Sequence, residues 1–520
     1  MAAIVTDQFR ILNANNFVET VDDSANSYYV TLGLANPALA VGFGRTTTWN
    51  TDTPNPTDNF NYIDHSGDTT IFGKKVTSAN IRRLITRRNW TQGTRYEMYR
   101  HDYSVTNPSP VTNSTRLYDS SYYVINKNFD VYVCIDNGSS GISSTGNASQ
   151  DEPLFTDLEP SRAGESGDGY IWKYLFTVPP SDIIKFDSTE YISVPGGWPT
   201  SSETQIQSVR ENGDSTINNN QIKKVYIDNQ GFGYSQNIVG REVDIIGDGT
   251  GGKVVIDTDS NGKITKTVVS SGGQAYTYGM VDLGPLGNSA VSVGNKAKLI
   301  PIIPPSRGHG FDLYKELGTD KLLVYARFDD STKDFPTDTK FAQISIIKNP
   351  TSIGSTITYT ANEFSSVNAI KVISPSGTPT IGGKIQQSVT GGTANGYIVS
   401  YDTDTNVIKY YQDRSLYFNQ TSADQTDYVG VTTAAKVFAF ESSAEVITGT
   451  NFSASVDQNF TGISTNPTGN KVISLGVNFT NGLASPEINK GSGDVIYLDN
   501  RPLITRNSRQ KEDIKIILEF

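Results

Sequence analysis

Apolar residues recur at every second position over short runs, and Gly, Asn, Asp and Ser separate the runs. That period of two predicts strands joined by tight turns. In Gly167-Asp-Gly-Tyr-Ile-Trp-Lys-Tyr-Leu-Phe-Thr-Val-Pro-Pro180 it puts Tyr170, Trp172, Tyr174, Phe176 and Val178 on one face, with Ile171 and Leu175 on the other. A strand apolar on both faces is sandwiched between layers. Residues 122–135 read as two aromatic-rich strands broken by the turn Asn126-Lys-Asn128, and residues 39–43 as a strand entering the turn Gly42-Phe-Gly-Arg45. Further strands are expected at 322–328, 341–347 and 513–520, and hairpins at 253–269 and 396–411. Residues 50–70 and 137–168 are polar enough to be surface loops. One segment has helical spacing: Ser78 as an N-cap, then Ile81, Leu84 and Ile85 on one face. Arg82 and Arg83 lie away from that face, with Arg87 and Arg88 just beyond. The pattern predicts a mainly β chain, a layered antiparallel β-sandwich core with few short helices and inserted small β-modules.

The texture changes at two places. Asn229-Gln-Gly-Phe-Gly-Tyr234 and Ser271-Gly-Gly-Gln-Ala-Tyr276 look like two copies of one glycine-tyrosine turn around the first hairpin, which suggests a small self-contained β-module. Residues 353–485 form a second region rich in Thr, Ser, Gly and Asn. The expected division is therefore a core in three pieces, 1–201, 304–352 and 486–520, interrupted by β-modules at 202–303 and 353–485. Long insertions of this kind suit loops, because lengthening a loop costs little entropy.

Composition sharpens this reading. The 520 residues include 47 Gly, 27 Tyr and 22 Phe, a supply of strand aromatics and turn glycines. The net charge of −11 repels phosphate, so nucleic acid is not an expected partner. No window approaches 18 uninterrupted apolar residues and the start has no basic flank followed by an apolar stretch, so neither a membrane span nor a signal peptide is expected. The single cysteine, Cys134, sits in the apolar run Val131-Tyr-Val-Cys-Ile135 and reads as a small buried hydrophobe rather than a reactive thiol.

Candidate chemistry is thin. Asp257-Thr-Asp-Ser-Asn-Gly262 matches the opening of a calcium loop, but Val268 stands where the bidentate acid is required, and the residues suit a hairpin tip equally well. The three histidines, His65, His101 and His309, have no zinc-ligand spacing. No Gly-x-Ser-x-Gly elbow occurs, and Gly247-Asp-Gly-Thr-Gly-Gly252 leads into a strand rather than the helix of a phosphate-binding loop. No catalytic residue, metal or cofactor is expected.

Several segments in order carry a resemblance: Ala3-Ile-Val-Thr-Asp-Gln-Phe-Arg10, Gly42-Phe-Gly-Arg-Thr-Thr-Thr-Trp49, Ile85-Thr-Arg-Arg-Asn-Trp90 with Thr94-Arg-Tyr96, and above all Gly167 to Phe176 with Pro179 and Pro180. Gln343-Ile-Ser-Ile-Ile-Lys-Asn-Pro350, Gly493-Asp-Val-Ile-Tyr-Leu-Asp-Asn-Arg-Pro502 and Ile514 to Phe520 complete the set. Together they resemble the dimeric, β-rich baseplate wedge subunit of T-even-like contractile-tailed bacteriophages, in an enlarged form similar to those of marine cyanobacterial phages. The resemblance implies a structural subunit of the virion tail baseplate, assembled in the host cytoplasm. It implies pairing with itself and contact with other wedge proteins and tail-fibre attachment proteins, with no catalysis and no cofactor. Arg87, Arg88, Trp90, Arg95 and Tyr96 are candidate interface residues, because arginine beside aromatics is favoured where proteins meet. Tyr170, Trp172 and Tyr174 are expected to pack within sheets, and Asn500, Arg501 and Pro502 to shape the turn before the last strand. The rival classes are a receptor- or carbohydrate-binding tail protein, with one module presenting loops to sugar, and a depolymerase, which calls for a regular repeat the sequence does not have.

Overall fold

The structure is a computed structural model and describes residues 5–34, 49–53, 55, 56, 58, 60–215, 218–287, 290–329, 335, 340–412, 438–443, 445–467, 469, 471–507 and 510–520. Helix α1 (Asp7–Asp22), strand β1 (Tyr28–Gly33), helix α2 (Phe60–Thr69) and strands β2 (Thr70–Val76) and β3 (Ile81–Thr86) come first. The aromatic strands β4 (Tyr123–Ile125), β5 (Asp130–Asn137) and β6 (Tyr170–Thr177) follow, then α3 (Pro180–Lys185), β7 (Tyr191–Val194) and α4 (Thr204–Gly213). A run of small strands comes next: β8 (Val225–Asn229), β9 (Arg241–Gly247), β10 (Thr250–Thr258), β11 (Ile264–Gln274), β12 (Gly279–Val281) and β13 (Lys298–Pro301). One-turn helix α5 (Leu313–Glu316) precedes β14 (Lys321–Phe328), β15 (Lys340–Lys348) and β16 (Glu363–Ser365). The next strands are β17 (Asn368–Gly377), β18 (Lys384–Val389), β19 (Gly392–Asp402), β20 (Val407–Tyr411), β21 (Ile447–Gly449) and β22 (Phe452–Val456). The series ends with β23 (Gly462–Thr465), β24 (Ile473–Phe479), β25 (Leu483–Ala484), β26 (Asp494–Thr505) and β27 (Glu512–Glu519). The chain is mainly β, and its elements divide into two compact units, residues 1–16, 81–323 and 517–520 in the first, 17–80 and 324–516 in the second. Among the described residues no helix is long and apolar enough to cross a membrane.

In the first unit β5 lies between β4 and β6, and β3 pairs with β7. Both sheets put apolar faces into one core, where Ile85, Ile192 and Val194 join Tyr122, Tyr123, Val131, Trp172 and Tyr174. The core is aromatic because the strands are. Trp172 stacks on Tyr170 with ring centres 5.3 Å apart, and Tyr96 meets Trp172 edge-on at 5.8 Å. Offset and edge geometries of this kind add to the area each ring removes from water. Cys134 is 0% exposed opposite Trp172, as a small apolar residue would be. α4 presses Ile206 and Val209 into this same core, so residues assigned by sequence to the start of the first module pack with β6.

The small strands β8 to β13 have a core of their own, with Ile222, Tyr234, Val254, Ile256 and Tyr276 at its centre. The hairpin of β10 and β11 forms as its alternation predicts. Both tyrosines of the paired turn motif are buried here. The Tyr276 hydroxyl donates to the Ile245 carbonyl (2.9 Å) and accepts from the Gly252 amide (3.0 Å), and a Cβ at Gly252 would sit 2.7 Å from that oxygen. Glycine is required there for the ring to close against the backbone.

The second unit holds a five-stranded antiparallel sheet in the order β16-β2-β1-β15-β26. β16 belongs to this sheet, although its residues fall in the segment assigned by sequence to the second module. Beyond it, β17, β20, β19, β18, β21 and β22 pair each with the next, and β22 returns to β17, so the sheet closes into a six-stranded antiparallel barrel. Ile370, Ile385, Ile398, Ile408 and Phe452 fill it. Closure removes the open edges that a sheet of short strands would otherwise expose.

Three expectations need correction. The segment after Ser78 is strand β3, preceded by a single 3-10 turn at Ser78–Asn80, not a helix. Adjacent Leu84 and Ile85 are both buried, which a strand between two layers allows and one face of a helix also mimics over so short a run. Residues 60–69 are helix α2 rather than loop. Asn500, Arg501 and Pro502 lie inside β26, not in a turn before the last strand. Phe341 faces Ile504 while Gln343 faces Asn500, so residues 501–503 bulge opposite Ala342. A bulge is where a strand can hold a proline. Residues 39–43 and the turn after them lie outside the described residues.

Candidate functional site

The arginine-aromatic cluster was the sequence's best candidate for an interface, and the fold spends most of it internally. Arg82 extends from β3 to Asp182 (2.6 Å), which is buried at the start of α3. Arg83 points to the opposite side, bonds Asn15 Oδ1 (2.8 Å) and lies 3.8 Å over the Tyr314 ring. Arg87 donates to Asn89 (2.9 Å) and approaches Asp187 at 3.8 Å, beside the Phe129 ring. Arg88 donates to the carbonyls of Tyr118 and Asp119 and sits 5.2 Å from the centre of the Tyr123 ring. Trp90 gives its indole proton to Ser149 (3.0 Å), and Tyr96 is buried with its hydroxyl accepting from the Thr91 amide (2.7 Å). Arg95 alone among the five is exposed. Arg82 and Arg83, placed by sequence together on the side of a helix away from its apolar face, are instead sent by the alternation of a strand to two different internal partners.

Tyr170, Trp172 and Tyr174 are each no more than 1% exposed. Tyr170 donates to the Asn147 carbonyl (2.9 Å) and accepts from the Tyr96 amide (2.8 Å). Burial pushes the Tyr174 phenol up to about 12, against a lowering bond from Thr177. Asn500 accepts from Gln343 Nε2 (3.0 Å), Arg501 pairs with Asp499 (2.6 Å) and gives its carbonyl to Trp49 (2.8 Å), and Pro502 is exposed at the bulge.

Metal chemistry has no assembled site among the described residues, where no three His, Cys, Asp or Glu side chains converge. The Asp259 carboxylate of the calcium-like stretch accepts from the amides of Asn261 and Lys263, the bonds of a hairpin turn. A hollow of the first unit, lined by Tyr99, Ile135, Lys224, Ile302 and His309, has room for about one water. His309 is itself spoken for, with Nδ1 2.6 Å from Glu316 Oε1 and the ring edge-on to Tyr99.

Sequence reading missed a polar cluster built on β6. Lys173 lies 2% exposed in the middle of β6 and donates to the Leu158 carbonyl (2.6 Å) and to Asn212 Oδ1 (2.8 Å). Burial pushes its amine down to about 8. The signal was available: a single lysine in an otherwise apolar strand must find a buried partner.

Fold and site together define a mainly β protein with aromatic cores, whose charged groups are used to hold its own elements. The family described as Bacteriophage T4, Gp8 matches residues 141–231, from the polar loop through β6, α3, β7 and α4 into β8. The baseplate wedge protein gp8 of Enterobacteria phage T4 is 28% identical over 226 residues, covering 38% of this chain and 61% of that protein. Over these residues the chain is similar to the phage baseplate wedge proteins represented by gp8. The match includes the stretch from Gly167 to Phe176 and runs past residue 202, in keeping with the packing of α4 on β6.

Proposed function

We propose that the chain is a structural subunit of a phage tail baseplate wedge, located in the virion, that pairs with itself and binds other wedge proteins during assembly. The observation that carries this reading is the likeness to a baseplate wedge protein across the segment that builds the aromatic core. The aligned part spans 61% of that relative's length. The internal use of charge supports it: side chains bonded to distant parts of their own unit make a stiff body, and stiffness suits a part that transmits force. The small body at 222–303 and the barrel at 368–484 are read as insertions into the wedge core, and Arg95 as a contact to a neighbour. Catalysis forms no part of the role, and no cofactor serves it.

Light scattering of the purified chain across dilution tests the self-association. The expected mass is that of a dimer at every concentration. A trimer would move the chain to the receptor-binding class of tail proteins.

A further inference from the structure

An amine, a carboxamide and a carboxylate stand in a row around Asn212, in the last turn of α4. Lys173 Nζ lies 2.8 Å from the carboxamide oxygen, and Glu159 Oε1 accepts from the carboxamide nitrogen at 2.8 Å. Asn218 Nδ2 holds the same Glu159 oxygen at 2.9 Å, and Lys223 Nζ approaches the other at 3.9 Å. The nucleophile is therefore at the carbonyl end of the amide, and a proton carrier is at the end where a leaving group departs.

We propose that Lys173 and Asn212 condense into an intramolecular isopeptide bond, with Glu159 as the catalytic residue. The neutral amine adds its lone pair to Cγ of Asn212, and the carbonyl electrons move to Oδ1. The Glu159 carboxylate takes a proton from the nitrogen that has become positive and returns it to Nδ2. The carbonyl reforms, the bond from Cγ to Nδ2 breaks, and ammonia leaves. Nothing is oxidised or reduced, and Glu159 ends as it began.

The surroundings favour each part of this step. Attack needs an uncharged amine, and burial in β6 lowers the Lys173 pKa to about 8. Partial burial of Glu159 works to raise its pKa, but the donors Asn218 and Asn212 with Lys223 hold it below the ordinary carboxylate value, so it is ionised and able to accept a proton. The fold holds the reacting groups together from distant positions in sequence, the condition under which intramolecular reactions gain most. The product would tie β6 to α4 where the chain leaves for the small body at 222–303.

Mass spectrometry of the full chain after denaturation is the test. The expected mass is one ammonia below that of the sequence, and trypsin yields a branched peptide joining the Lys173 and Asn212 segments, uncut after Lys173. Lys173→Arg and Asn212→Ala restore the full sequence mass. Glu159→Gln slows linkage by on the order of a hundredfold, the usual worth of a general acid-base group, so that the purified variant is still largely at full mass, and its residual linkage quickens as pH rises through about 8. A full-mass wild-type chain cut after Lys173 overturns the proposal, whether or not the variants fold. So does ammonia loss confined to a succinimide at Asn212-Gly213.

Discussion

Arg506 is 0% exposed, an extreme environment for a guanidinium. It donates to Glu512 Oε2 at 3.2 Å, and its Cζ lies 4.0 Å from the centre of the Phe335 ring. A buried ion pair contributes little net stability, but removing one partner strands the other, at a cost of about 3–5 kcal/mol. Arg506→Met should therefore lower the unfolding free energy by that amount in chemical denaturation, and adding Glu512→Leu should recover most of it. Equal losses in the single and double variants would show that packing on Phe335, and not the charge, is what matters. At this scale the sequence reveals residue types but not partners. Arg82 meets Asp182 a hundred positions along the chain, and Arg83 meets Asn15 on α1. An arginine count therefore pointed outward, while in the fold Arg83 is buried, Arg82, Arg87 and Arg88 are half-buried on partners of their own unit, and Arg95 is exposed. Lys173 was legible as an anomaly in β6 but not as a neighbour of Asn212.

Hairpins were the most legible elements, because both strands and the turn between them lie within one short window. The pairs β10–β11 and β19–β20 form where alternation and an Asp/Asn/Gly tip foretell them. β3 was misread because Ile81, Leu84 and Ile85 fit one face of a helix and also a strand buried on both sides. α1 went unseen because its apolar residues are spread around the helix rather than gathered on one face, and α4 because its apolar residues are few and set among Gln, Ser and Asn. Closure of the barrel was out of reach, since it depends on β17 meeting both β20 and β22, pairings that no local window holds. Ile408 is 0% exposed on β20, within the barrel core. Ile408→Ala should destabilise the barrel by about 2–5 kcal/mol. Hydrogen exchange should then rise in β17 to β22 while β4 to β6 stay protected. Uniform loss of protection across both sets of strands would show that the barrel is not an independent folding unit.

For the molecule as a whole, the mainly β class followed from composition and alternation, and the likeness to baseplate wedge proteins from the order of short motifs, the strongest of which lies within the matched residues 141–231. The division into pieces was less legible. The first compact unit is built from three segments of chain and the second from two, and α4 and β16 join cores that their local texture did not suggest. The central claim is that this body is a part of a baseplate wedge. Mixing the purified chain with the other wedge proteins of its own phage, and following the mass by light scattering, tests that claim most directly. A stable larger complex should form, and Arg95→Glu should weaken recruitment while leaving the free chain folded. A chain that stays apart from the wedge proteins at every concentration would contradict it.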